Sequence, residues 1–198
     1  MGTGKSRTGK ELAQRTNRTF VDTDEEIVKL HGPISEIFAK KGEDEFRRVE
    51  RELVKTLAPR RDLVIATGGG TLLDPDNVAL FVNAEIIALT ATPSEIVARV
   101  TADGIAHRPL LANTEDPEAE VEKLLEARAD KYAKFTSVDT TKQSIDQVIA
   151  AIGSTGIDTS SPEIDDSKPK RDLTSILYAV ITVLLLLALA LVLLLVSF

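Results

Sequence analysis

The sequence predicts an α/β protein: a three-layer sandwich with a parallel sheet and a phosphate-binding loop, followed by a C-terminal transmembrane helix. Three observations carry that expectation. Short apolar runs alternate with longer helical stretches through residues 1–152, and strands separated by helices imply a parallel sheet with helices on both faces. The chain opens on "GTGKS" at 2–6 and runs straight into a helical stretch. Residues 173–198 carry no charged side chain.

In chain order, the first helix is expected over Lys5–Gln14, and the first apolar run, "TFVDT" at 19–23, reads as a strand. Helices follow over Asp24–His31, Ile34–Lys40 and Asp44–Leu57, then a strand at "DLVIAT", 62–67. A helix over Pro75–Phe81, a strand at "EIIALT", 85–90, and a helix over Pro93–Ala102 come next. Residues 103–115 have no clear periodicity and read as a mobile loop. A long helix, Pro117–Tyr132, a strand at "FTSVDT", 135–140, and a helix over Ser144–Ile152 complete the domain. A glycine-rich phosphate loop normally hangs between a buried strand and a helix; no residues before Met1 supply that strand, so the first strand is expected to be missing. Its loss would bare two strand edges inside the sheet.

Composition narrows the function. The chain of 198 residues has a formal net charge of −7 and a pI near 5.0, which argues against a general nucleic-acid surface; any anionic ligand must be met by local cations. With no cysteine there is neither a disulfide framework nor a thiolate metal site, and no N-terminal apolar stretch reads as a secretory signal. His31 and His107 have no partners at metal-binding spacing.

The tail "ILYAVITVLLLLALALVLLLV", residues 176–196, is long enough as a helix to rise about 30 Å, the thickness of a bilayer core. Insertion scales sum its Leu, Ile and Val residues to about −5 to −10 kcal/mol. Lys168, Lys170 and Arg171 lie just before it, so the positive-inside rule places the soluble domain in the cytoplasm, anchored by residues 173–198. A buried core helix is the alternative. Residues 153–172, rich in Gly, Ser, Thr, Pro and Asp, read as a flexible linker with a coil dimension of roughly 25 Å.

In open parallel sheets, ligands bind at the carboxyl ends of the strands, and the residues there carry chemistry. In "GTGKS" the glycines let backbone N–H groups close on phosphate oxygens, Lys5 reaches the β and γ phosphates, and the Ser6 hydroxyl ligates Mg²⁺. Asp22 and Asp24 end the first strand, one suited to the metal shell and one to a substrate hydroxyl; Asp24 could instead simply cap the next helix. The strand at 62–67 ends in Gly68, where many phosphate-loop enzymes carry a metal-holding Asp, which leaves Asp22 available for the metal. Arg47 and Glu50 stand at i, i+3, so the acid can steady the guanidinium, although such pairs are often only a solvated helix face. Three glycines at 68–70 cost order, roughly 0.5–1 kcal/mol each relative to Ala, and point to close approach of backbone and ligand, or to a plain turn. Arg108, in the loop "HRPLL", is a candidate lid arginine, and Arg128 faces Tyr132 at i+4.

The ordered set "GTGKS", "FVDTDEEI", "ISEIFAKKGEDEFRRVE", "VIATGGGTLLDPDN", "RPLLA" and "EARADKY" closely resembles shikimate kinase, of the P-loop nucleoside-monophosphate-kinase-like family, over residues 1–152. The resemblance implies ATP-dependent phosphorylation of the shikimate 3-hydroxyl, in chorismate and aromatic amino-acid synthesis, with Mg²⁺ as cofactor. By motif, Gly2, Thr3, Gly4, Lys5, Ser6 and Arg7 would bind ATP, with Ser6 and Asp22 on the metal. Asp24, Lys5 and Arg108 would be catalytic, Asp24 orienting or deprotonating the attacking hydroxyl and Arg108 closing on ATP. Arg47, Gly68, Gly69, Gly70 and Arg128 would join Asp24 in binding shikimate, the two arginines on its carboxylate. Arg99 and Gln143 would flank the adenine. Arg7 departs from the usual Thr or Ser, and Asp130-Lys131 from the usual Pro-Leu; the membrane tail is foreign to the family, and the missing strand implies an N-terminally truncated member. ATP and shikimate are thus the expected partners of a monomeric soluble domain. The alternatives are an inactive membrane-anchored relative and a kinase of a related sugar acid such as gluconate.

Overall fold

Helix α1, Lys5–Arg15, follows directly on the glycine-rich start, and its Gly9 explains how tightly it seats. A Cβ on Gly9 would lie 2.6 Å from Phe20 Cε2, so only glycine lets α1 press against β1, Thr19–Asp22. Then come α2, Thr23–His31, α3, Ile34–Leu57, and β2, Leu63–Ala66. A 3₁₀ turn at Thr71–Leu73 leads into α4, Pro75–Leu80, β3, Ile87–Thr90, and α5, Pro93–Asp103. The chain resumes with α6, Pro117–Glu126, α7, Ala129–Tyr132, β4, Thr136–Asp139, and α8, Ile145–Gly153.

A computed structural model describes residues 2–104 and 114–159, all within one unit, Met1–Ser161. The lid candidate Arg108 and the tail at 173–198 lie outside the described residues. Among those described, no helix is long and apolar enough to cross a membrane.

The strands run parallel, as expected, but form two pairs. β1 pairs with β2, from Thr19 opposite Leu63 to Asp22 opposite Ala66, and β3 pairs with β4, from Ile87 opposite Thr136 to Thr90 opposite Asp139. Each is a two-stranded sheet among the described residues. Helix α1 packs on β1, on β2 and on α8, and α8 packs on β4, so helices tie the pairs together. The buried apolar side chains are correspondingly grouped. Ile27, Ile37, Phe46 and Val49 fill the space between α2 and α3; Ala91, Ile96, Val100 and Val121 that between α5 and α6; Val138, Val148, Ile149 and Ile152 that between β4 and α8. Each fully buried Val or Ile contributes about 1.5–3 kcal/mol by leaving water.

The helices expected over 34–40 and 44–57 are both present within α3 and meet at a kink where Gly42 adopts φ 80°, ψ 178°. Two expectations need correction. The helix expected over 117–132 breaks after Glu126, leaving Arg128 in the junction before α7, where it still stands one turn below Tyr132 and its carbonyl accepts from the Tyr132 N–H. The cap of α2 is Asp22 and not Asp24, because β1 hands over to helix one residue sooner: the Asp22 carboxylate accepts from the N–H groups of Asp24 and Glu25.

Candidate active site

The start of α1 is built for an anion. Gly2 and Gly4 adopt φ 67° and 86°, in the left-handed region that glycine occupies without strain, and turn the chain into the helix. At Gly4 there is no side-chain cap and the first turn holds no acid, whereas α2, α4, α5, α6 and α8 are capped by Asp22, Asp74, Thr92, Asp116 and Ser144. Backbone N–H groups and the positive end of the helix dipole are thus left to a ligand, and phosphate is the group that suits them.

Ser6 and Asp22 meet at that point. The Ser6 hydroxyl donates to Asp22 Oδ2 over 2.6 Å, while Asp22 Oδ1 takes the α2 N–H groups at 3.0 and 3.4 Å. A hydroxyl and a carboxylate are hard oxygen donors, and two of them fit Mg²⁺, which keeps waters and phosphate oxygens for its other positions. No cluster of three His, Cys, Asp or Glu able to hold a metal occurs among the described residues. Asp24 lies in the first turn of α2, with Oδ1 2.7 Å from where a Cβ on Gly68 would stand.

On the other side, α3 supplies a buried acid. Glu50 is 1% exposed; its Oε2 accepts from Arg47 Nη1 at 2.9 Å and its Oε1 from Thr71 Oγ1 at 2.6 Å. Both oxygens are satisfied, which a buried carboxylate requires. Arg47 also donates to Glu43 through Nε and Nη2, at 3.2 and 3.0 Å. Burial opposes the charge on Arg47, but its bonds to Glu50 and Glu43 outweigh this and hold its pKa above the ordinary value. The strand end is fixed as well: Gly68 N–H donates to Thr23 Oγ1 over 2.9 Å, and Asn77 Nδ2 to the Thr71 carbonyl over 3.0 Å. Gly70 abuts Arg47, since a Cβ there would lie 2.7 Å from Nη1. The Gly69 carbonyl accepts from Arg128 Nη1 at 2.9 Å and from the Tyr132 hydroxyl at 3.2 Å. Two of the three glycines thus meet the two arginines singled out in the sequence, Gly69 through Arg128 and Gly70 through Arg47, while Gly68 is held by Thr23.

The far end of the loop is held by a different hub. Arg99 donates through Nε to Glu95 at 3.0 Å, through Nη1 to Thr140 Oγ1 at 2.9 Å and through Nη2 to the Thr140 carbonyl at 2.6 Å. Its Nη1 also reaches the Gly2 carbonyl at 3.4 Å. The buried Thr140 hydroxyl lies 3.1 Å from the Thr3 carbonyl and 2.9 Å from that of Thr90, so loop, β3 and β4 share one side chain. Ser6, Asp22, Asp24, Arg47, Glu50, Gly68–Gly70, Arg99, Arg128 and Thr140 border one cleft of about 830 Å³, with Lys5, Arg7 and Gln143 also on its wall. That volume suits a nucleotide and a small second substrate together. Lys5, Arg7, Arg47, Arg99 and Arg128 supply the local cations that an acidic chain needs to bind anions.

The sequence profile of the shikimate kinase family matches residues 1–155. The chain belongs to the shikimate kinase family. It is 43% identical over 155 residues to the shikimate kinase of Pelotomaculum thermopropionicum, covering 77% of this chain and 88% of that one. With the shikimate kinase of Desulforudis audaxviator it is 44% identical over 156 residues, covering 77% and 80%. Among solved structures, the shikimate kinase of Acinetobacter baumannii in complex with shikimate matches with a TM-score of 0.69 at 30% identity, over 80% of this chain and 91% of that one.

Within this shikimate kinase fold, the structure brings together Gly2, Thr3, Gly4, Lys5, Ser6, Arg7, Asp22, Asp24, Arg47, Gly68, Gly69, Gly70, Arg99, Arg128 and Gln143 around one cleft. Arg99 lines this cleft with its guanidinium engaged by Glu95, Thr140 and the Gly2 carbonyl. The hydroxyls of Thr23, Thr71, Tyr132 and Thr140 were not singled out as site residues. Thr71, next to the glycine run, was the only one with a local signal.

Proposed function

We propose that this chain transfers the γ-phosphoryl group of ATP to the 3-hydroxyl of shikimate, giving shikimate 3-phosphate for chorismate and aromatic amino-acid synthesis. The observation that carries the reading is the convergence of Arg47 and Arg128 on Gly68–Gly70, beside Asp24, in the cleft that also holds the uncapped start of α1. A planar carboxylate fits two guanidinium forks, and a ring anchored there presents its hydroxyls toward Asp24. Asp24 orients the attacking hydroxyl and takes its proton as the bond to phosphorus forms. The loop N–H groups and Lys5 hold the phosphates in line, and positioning of this kind supplies most of the rate in phosphoryl transfer. Ser6 and Asp22 would hold Mg²⁺, which would supply positive charge to offset that of the phosphates. By the family resemblance, Arg108 would add a further cation. Arg99 and Gln143 border the nucleotide end. Residues 173–198 anchor the domain to a membrane, on the strength of their uncharged length.

One experiment addresses both parts. The full chain is expressed, membrane and soluble fractions are separated, and shikimate-dependent ADP release is followed in each, with gluconate as the competing acceptor. Activity is expected with shikimate and not gluconate, in the membrane fraction. Arg47→Ala is expected to raise KM for shikimate far more than KM for ATP. An inactive chain, or equal loss for both substrates, refutes the assignment; activity confined to the soluble fraction refutes the anchor.

A further inference from the structure

The Gly69 carbonyl has two donors, and they differ in what else they can do. Arg128 Nη1 at 2.9 Å carries a charge that an anionic acceptor would attract; the Tyr132 hydroxyl at 3.2 Å does not. A carbonyl oxygen has two lone pairs and can accept both at once. A carboxylate offers Arg128 charge-assisted bonds, roughly twice as strong as a bond to a neutral carbonyl, so an acceptor that recruits the Nη1 edge would draw the guanidinium off Gly69. The carbonyl would then lose a partner at a half-buried spot where an unpaired acceptor costs about 1–3 kcal/mol.

We propose that Tyr132 is a positioning residue: its hydroxyl keeps hold of the Gly69 carbonyl when Arg128 leaves it for the acceptor, so that Gly68–Gly70 stays in place as substrate binds. This inference rests on the functional reading above. Tyr132 is well fixed for the task. Its ring stands edge-on to Phe135, centroids 6.2 Å apart at 71°, and Phe135 packs against the buried group of Val54, Leu72 and Phe81. Burial also pushes its hydroxyl pKa above the ordinary value, so it remains a proton donor through the neutral range. The neighbouring glycines leave no slack: Gly70 abuts Arg47 and Gly68 abuts Asp24, so any drift at Gly69 reaches both groups that meet the acceptor.

The test compares Tyr132→Phe, which keeps the ring and removes only the hydroxyl, with the parent chain. KM for shikimate is expected to rise about 3- to 10-fold, the size of one neutral hydrogen bond. KM for MgATP, kcat and Tm are expected to stay within experimental scatter of the parent. As a control on packing alone, Phe135→Leu is expected to lower Tm without that selective rise. If Tyr132→Phe leaves KM for shikimate unchanged, or moves kcat, both KM values and Tm together, the proposal is overturned while the function stands. A parent chain that does not phosphorylate shikimate overturns both.

Discussion

Gly70→Ala isolates the contact between the glycine run and Arg47. Gly70 has φ −111° and ψ −14°, which alanine adopts without strain, so the backbone is not the source of any effect. The added Cβ would sit 2.7, 2.9 and 3.0 Å from Nη1, Nη2 and Cζ of Arg47, where ordinary contact begins near 3.4 Å. The guanidinium must retreat by about 0.7 Å, which a long side chain does cheaply, so the fold survives. The site does not: such a retreat pulls Nη1 away from its 2.9 Å bond to Glu50 and moves the carboxylate-binding fork. Misplacement on this scale costs about 10- to 100-fold in kcat/KM for shikimate, or roughly 1.4–2.7 kcal/mol of transition-state stabilisation. The assay is ADP release coupled to NADH oxidation, with shikimate and MgATP varied in turn and Tm recorded beside it. A variant that melts with the parent and keeps its kcat/KM for shikimate within about twofold would show that Arg47 does not work from the position it holds here.

Two further predictions test the other end of the cleft and the surface of α3. Thr140→Val removes the hydroxyl shared by Arg99, Thr3 and Thr90, leaving buried groups unpaired; KM for MgATP is expected to rise with KM for shikimate unchanged, and Tm to fall by several degrees, at about 2–4 °C per kcal/mol for a domain of this size. Unchanged MgATP kinetics would remove the hub from nucleotide positioning. On α3, the bond from Arg48 holds the Glu45 carboxyl down at about 2, well below the value of about 4.3 it has in an unfolded chain. A depressed folded-state value stabilises above the unfolded pKa and is lost as pH falls toward 2. Melts followed by circular dichroism between pH 5 and pH 2.5 are therefore expected to show a shallower loss of Tm in Arg48→Ala than in the parent, and identical slopes would refute the pairing.

The readable parts of this molecule were those with local causes. "GTGKS" announces a helix start without a cap because glycine and a following helical stretch are adjacent in sequence, and Arg47 with Glu50 is legible because i, i+3 is a fixed geometry on a helix. One-residue boundaries were not legible. Strand β1 ends at Asp22 rather than Thr23, and that single step makes Asp22 the cap of α2 and puts Asp24 in its first turn, facing Gly68. The break between α6 and α7 has no proline or glycine to mark it; Arg128 stands just before α7 and Tyr132 ends it, and both meet on one carbonyl. Thr140 carries no signal of its own, because its partner Thr3 is 137 residues away and only the folded chain brings them together.

The bare beginning of α1 has a thermodynamic corollary. Among the described residues, five helices finish their own first turns with a side chain; α1, like α3 and α7, does not, and at the glycine-rich start of α1 that task is left to whatever anion arrives. The nucleotide is in that sense the last piece of secondary structure to be added, and by mass action it stabilises the fold by about 2.7 kcal/mol at a hundredfold excess over its Kd. Substrate supply and resistance to unfolding are then one equilibrium viewed from two ends.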